Sequence, residues 1–214
     1  MLVIGLGIGL AATVLGIVVA LHPAPTGPER AVDRALFAPR PTTAFAVFRI
    51  VTVAGSGAVV AVLGVGLAVL CWRWGRRSLA VVCVAGPALA AAVELLAKPI
   101  VGRVRPGTGA LTGEGGFGFP SGHSAGATAL AAAVILVAWR LCESRRLRDE
   151  ITVGAVAYAF LVGVSRLVVG AHFALDVVGG WLLGIASVLL VATVVDRLGL
   201  DSAVLQTVNA EMEP

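Results

Sequence analysis

The chain of 214 residues is 58% hydrophobic and only 13% charged, with a mean hydropathy of +0.99. A water-soluble domain of that length needs far more polar surface to cover its core, so the composition excludes an ordinary soluble enzyme and points to a chain dissolved in lipid. The net charge of +4 resides mostly in arginines of the connections, which suits anionic headgroups and makes no case for nucleic acid.

Six apolar runs, residues 2–21, 46–70, 79–97, 124–141, 151–169 and 175–195, are each long enough to cross the hydrocarbon, which takes about 20 residues. In lipid every backbone N–H and C=O must be paired within its own segment, so each run is predicted to be a helix. The alternating short strands of a membrane barrel are missing. The expected fold is therefore all-α, one bundle of six transmembrane helices over residues 1–200 with a short polar tail at 201–214. No Lys or Arg precedes the first run, and it exceeds the apolar core of about 7–15 residues found in cleaved signals, so a retained first helix is expected.

Between the first and second runs lies a Pro-rich segment, 22–43, expected to be a connector, with an entrance lining as the alternative. Arg73, Arg76 and Arg77 follow the second run. Arg140, Arg145, Arg146 and Arg148 follow the fourth, and Arg197 the sixth. These alternate connections share a side, which the positive-inside rule makes cytoplasmic together with both termini. Arg30, Arg34 and Arg40 dilute the bias, although Glu29 and Asp33 lie beside them. The opposite, outer side receives segment 22–43, the loop around 98–123 and a tight turn near His172. Cys71, Cys83 and Cys142 read as packing residues rather than a disulfide framework.

Polar residues are scarce, and three clusters of them fall on the expected outer side. "KPIVGRVRP" carries Lys98, the only lysine, and Arg105-Pro106. "PSGH" places Pro120, Ser121, Gly122 and His123 at the start of the fourth helix. "SRLVVGAHFALD" carries Ser165, Arg166, His172 and Asp176. Lys98, Arg105 and Arg166 supply three cations, and the fourth helix adds unpaired N–H groups, a favourable dipole and the Ser121 hydroxyl. Gly122 would let an anion come close to the backbone. Such a set suits a tetrahedral oxyanion, most plausibly phosphate. His172 and Asp176 are four apart, so on a helix they share a face, and the carboxylate can fix the tautomer that leaves the other imidazole nitrogen free to attack. His123 would face them as proton donor.

Each feature has a plainer reading by itself. Arg49 and Arg140 fit arginines that reach up to lipid headgroups. A lone PSG turn fits simple helix entry, and Glu94, one turn before Lys98, fits structural support of that amine. Only the combination, in this order and on one side, is specific.

That combination resembles the type 2 phosphatidic acid phosphatase family. Its pattern of Lys-x6-Arg-Pro, Pro-Ser-Gly-His and Ser-Arg-x5-His-x3-Asp is matched here by Lys98 to Arg105-Pro106, Pro120 to His123, and Ser165-Arg166 to His172 to Asp176. The resemblance covers about residues 79–195. It implies that His172 is the nucleophile of a phosphohistidine intermediate, that Asp176 orients it, and that His123 protonates the leaving oxygen and later activates water. Lys98, Arg105, Ser121, Gly122 and Arg166 would hold the phosphoryl oxygens, with no metal or other cofactor. The implied substrate is a lipid phosphate entering from the bilayer of a plasma membrane, with undecaprenyl diphosphate as the lead and phosphatidate or phosphatidylglycerol phosphate as the others. A phosphotransferase using the same phosphohistidine stays open, as does a non-catalytic lipid-binding or transport protein. The vanadium haloperoxidases share the oxyanion constellation, but six spans argue against them.

Overall fold

The computed structural model describes residues 1–107 and 115–199, so the expected tail at 201–214 lies outside the described residues. Within them the chain forms eight α-helices: α1 (Leu2–Leu21), α2 (Gly27–Leu36), α3 (Thr43–Val53), α4 (Gly57–Arg73), α5 (Arg77–Val101), α6 (Gly122–Leu141), α7 (Arg145–Val168) and α8 (Ala174–Leu198). α1, α5, α6, α7 and α8 are each long and apolar enough to cross a membrane, and α3 with α4 makes a sixth, bent span. The chain is thus an all-helical, multi-pass membrane protein.

α8 is the hub, packing against α1, α5 and α6, while α6 also packs on α7 and α4 on α5. Small residues let the hub helices approach closely: a Cβ on Gly180 would lie 2.6 Å from the Ser121 carbonyl oxygen of α6. α1 is the least enclosed span, and Val3, Ile4, Leu6 and Leu10 point outward as lipid-facing side chains. Cys71 and Cys83 are buried free thiols among Ala68, Leu79, Ala80 and Ala133. Arg140, expected to reach for a headgroup, instead sits 3.1 Å from Asp196 on α8.

Two elements differ from the sequence expectation. The run at 46–70, expected as one helix, is broken between α3 and α4 by a 42° bend. Ser56 caps α4 by accepting the Val59 N–H, and Gly55 fits so tightly that a Cβ would lie 2.3 Å from a Val162 methyl and 3.4 Å from the His123 carbonyl oxygen. The Tyr158 hydroxyl donates to the Ala54 carbonyl at 2.7 Å, so the break is buried with that acceptor satisfied. Segment 22–43, expected as a connector, does more than connect. It holds α2, which Thr26 and Glu29 start as a reciprocal capping box with Pro28 in the first turn. Its Glu29 is 4% exposed, and the Ala38 N–H bonds the Val168 carbonyl at the end of α7.

Candidate active site

The three polar clusters lie at the end of α5, the start of α6 and the turn from α7 to α8, and hydrogen bonds join them at one end of the bundle. The Ser121 N–H donates to the Asp176 carbonyl at 2.9 Å, tying the α6 entry to the first turn of α8. α7 ends in a turn in which Gly170 adopts φ +68°, a conformation side chains disfavour, and the Ala171 and His172 N–H groups fold back on the Arg166 carbonyl. That reversal delivers His172 two residues ahead of α8. The histidine is therefore not itself on the helix, and its partner reaches back to it from the third helical position.

Asp176 is fully buried, with every oxygen directed. Oδ2 accepts the Phe173 N–H at 3.0 Å, Oδ1 accepts Arg103 Nη1 at 2.8 Å, and Oδ2 lies 3.4 Å from His172 Nδ1. The α8 N-terminal dipole favours a carboxylate there. The last distance is long for a hydrogen bond, and it orients the ring without gripping it. On the other edge of the ring, Arg105 Nη1 lies 3.0 Å from His172 Nε2 and donates to the Ala171 carbonyl at 3.2 Å. Burial, reinforced by Arg166 and Arg105, lowers the His172 pKa to about 4 despite Asp176, so the imidazole is neutral near pH 7. Nε2 then presents a lone pair toward a guanidinium.

The remaining expected residues lie at the same end of the bundle. Ser121 caps α6, and its Oγ accepts from the Ser124 N–H and hydroxyl, leaving its own proton to donate. Lys98 forms an ion pair with Glu94 one turn earlier, as expected for a supporting acid. The Glu94 carboxylate in turn lies against Gly122, where a Cβ would come within 2.6 Å of Oε1. Gly122 thus makes room for Glu94, a reason the sequence did not suggest. His123 follows in the first turn of α6, partly buried. Arg166 is 1% exposed and its Nη1 donates to Thr52 Oγ1 of α3 at 2.5 Å. Ser165 donates to the Val162 carbonyl inside its own helix, and Pro106 and Pro120 are buried. His22, expected outside the site, ends α1 as an exposed residue.

Sequence reasoning missed Arg103 and Glu29. Arg103 shares with Arg166 the place of largest fully buried side chain among the described residues: Nη1 reaches Asp176, Nη2 bonds both Glu29 oxygens at 3.0 Å, and Nε donates to the Pro23 carbonyl at 3.1 Å. Its guanidinium also stacks 4.9 Å from the Phe173 ring. Glu29 is completed by the Thr26 and Leu175 N–H groups. The available signal is alternation. Val104 forms an antiparallel bridge with Phe117, and in extended chain the residues on either side, Arg103 and Arg105, point the same way while Val104 is exposed.

The fold is shared with known membrane enzymes. The chain superposes on the first transmembrane PAP2-type phosphatidylglycerolphosphate phosphatase from Bacillus subtilis with a TM-score of 0.72 over 90% of this chain and 96% of that one, at 24% identity. For LpxE of Aquifex aeolicus the TM-score is 0.54 over 77% and 92%, at 23% identity. In sequence, residues 78–199 match the PAP2 superfamily, and the chain belongs to it. It is also 39% identical over 90 residues to phosphatidylglycerophosphatase B of Bacillus subtilis (strain 168), a stretch that makes up 41% of this chain and 44% of that relative. The match therefore spans less than half the length of that relative.

Proposed function

We propose that this chain is an integral-membrane lipid phosphatase that releases phosphate from a lipid phosphomonoester or diphosphate through a phosphohistidine at His172. The observation that carries the reading is the placement of His172 Nε2 3.0 Å from Arg105, with Nδ1 turned toward Asp176. A phosphoryl group drawn to Arg105 is held in line with a neutral imidazole. The Nε2 lone pair attacks phosphorus, the bond to the lipid oxygen breaks, and His123 gives that oxygen its proton. Water then attacks the phosphohistidine while His123 takes back a proton, releasing inorganic phosphate and His172. Lys98, Arg105, Ser121, the Gly122 N–H and Arg166 carry the equatorial charge, where a single lost donor costs about 100-fold or more in rate. Membership of the PAP2 superfamily and the phosphatidylglycerophosphatase relative support this chemistry.

The site lies at the end of the bundle opposite the arginine-rich connections, which supports an active site facing outward and cytoplasmic termini. The lead substrate is an undecaprenyl-diphosphate-type lipid, with phosphatidate and phosphatidylglycerol phosphate next, and the whole of residues 1–200 is read as one catalytic unit. The test is phosphate release in detergent, with chelator present, from prenyl mono- and diphosphates, phosphatidate and phosphatidylglycerol phosphate. His172→Ala should abolish release and the acid-labile labelled phosphoenzyme, while His22→Ala should retain both. Equal loss in the two variants, or undiminished turnover without His172, defeats the assignment.

A further inference from the structure

Beyond the residues that surround His172, a second basic recess opens next to it. Arg40, Arg49 and Arg166, with Phe45, Thr52 and Val53, line a cavity of about 160 Å³. That volume equals about five waters at about 30 Å³ each, enough for one phosphate group. The recess is held in shape. Arg166 is fixed by Thr52, Arg40 stacks with its guanidinium carbon 4.7 Å from the Phe45 ring centre, and the Ala38–Val168 hydrogen bond anchors the approach to Arg40. Phe45, Arg49 and Val53 are successive fourth residues on α3 and so share a face. The same Arg40, Phe45, Arg49 and Val53 also border an open, mainly apolar groove of about 910 Å³ that runs on past Ala46 and Ile50.

The decisive residue is Arg166, which belongs to both places. Its side chain walls the recess, its backbone carbonyl accepts the His172 N–H at 3.3 Å, and its guanidinium is close enough to help lower the His172 pKa. Two phosphates that share a bridging oxygen need adjoining sites with a common cation, and an apolar tail needs an exit on the side away from the reacting phosphorus. The recess and groove supply these in the right order.

We infer that Arg40 and Arg49 bind the lipid-attached phosphate of a diphosphate lipid while its terminal phosphate lies at His172 and its hydrocarbon chain runs along the α3 groove. The inference rests on the proposed phosphatase function and specifies its substrate class. The attack by Nε2 then breaks the bond from the terminal phosphorus to the bridging oxygen. The lipid monophosphate departs with that electron pair, and Arg40 and Arg49 stabilise the charge that develops on it. Arg49 sits within α3 rather than at its end, is exposed, and lines both the recess and the open groove.

The test uses the full chain in detergent with a C15 prenyl diphosphate and the matching monophosphate, which differ only by the second phosphate. Arg49→Gln and Arg40→Gln should each reduce kcat/KM for the diphosphate about tenfold more than for the monophosphate, because a charge-assisted bond is lost on one substrate alone. Arg49→Lys should recover part of the difference. On the unaltered protein, inorganic pyrophosphate should inhibit at about tenfold lower concentration than orthophosphate, a measurement that needs no variant to fold. Substrate ratios unchanged in both Gln variants, or equal inhibition by the two anions, overturn the subsite while leaving the phosphatase reading in place. A wild-type protein that hydrolyses neither prenyl substrate nor any other lipid phosphate overturns both.

Discussion

Replacing Arg103 with lysine keeps a positive charge in place but removes the planar fork. At present the guanidinium spans Asp176 on one side at 2.8 Å and both oxygens of Glu29 on the other at 3.0 Å, with the Pro23 carbonyl on Nε. A lysine ammonium is a single point at the end of a flexible stem and can serve one carboxylate, leaving the other buried and under-bonded. Charged hydrogen bonds contribute about 1.5–3 kcal/mol each, and breaking a buried ion pair costs about 3–5 kcal/mol. A loss near 3 kcal/mol at about 2–4 °C per kcal/mol lowers Tm by about 6–12 °C. The catalytic effect is separate. If Asp176 relaxes, His172 loses its aim, and a misplacement on the order of 1 Å costs about 100-fold in rate. Arg103 touches carboxylates rather than the substrate, so the fall should appear in kcat with KM nearly constant. Initial rates over a substrate range, taken well below the variant's Tm, together with tryptophan-monitored melting, give both numbers. A kcat within twofold of wild type beside a clear drop in Tm would refute the positioning role and leave Arg103 as a structural residue only.

Four further outcomes follow from the same geometry. Gly122→Ala drives a methyl into the Glu94 carboxylate and displaces Lys98 with it; kcat/KM should fall about tenfold or more, and adding Glu94→Ala should restore part of it, so a strictly additive double mutant contradicts the steric account. His172 stays neutral down to about pH 4, so the acid limb of kcat/KM should lie well below the usual histidine value of 6.5; an acid limb near 6.5 assignable to His172 argues against its burial. The same depressed pKa means the unfolded chain binds the extra proton first, so stability should decline as pH falls from 6.5 toward 4 and then level off. Asp33 on α2 has its pKa raised to about 6, by burial first and then by Glu29 and Asp176; its ionisation as pH rises from 4 through 6 opposes folding, and Asp33→Asn should raise Tm at pH 8 but not at pH 4. Equal effects at the two pH values would exclude that ionisation as the cause.

Much of this architecture was legible because lipid imposes a simple rule on the backbone. The apolar runs that became α1, α5, α6, α7 and α8 had to be helices, and the motif residues had to meet where their ends coincide. The break in the second run was not legible from hydropathy, which passes smoothly through Ala54-Gly55-Ser56. What bends the chain is the close seat of Gly55 against Val162, a tertiary contact. α2 carried a readable start in Thr26-Gly27-Pro28-Glu29, but its proline-rich surroundings hid it. The pairing of Glu29 with Arg103 bridges 74 residues of sequence, and no local pattern announces it. Arg103 itself stood in view two residues before Arg105, disguised as one more loop arginine of a basic protein.

That long-range pairing bears on how the molecule could be trimmed or recombined. The stretch that matches the superfamily begins at residue 78, yet the acid gripping Arg103 and the hydroxyl gripping Arg166 both come from before it. A shortened protein carrying every signature residue would deprive two interior guanidiniums of one partner each, and a chimera joined near residue 77 would inherit a lock without its key. Grafts between relatives should therefore carry residues 23–29 and 52 along with the signature half, or exchange Glu29 and Arg103 as a matched set.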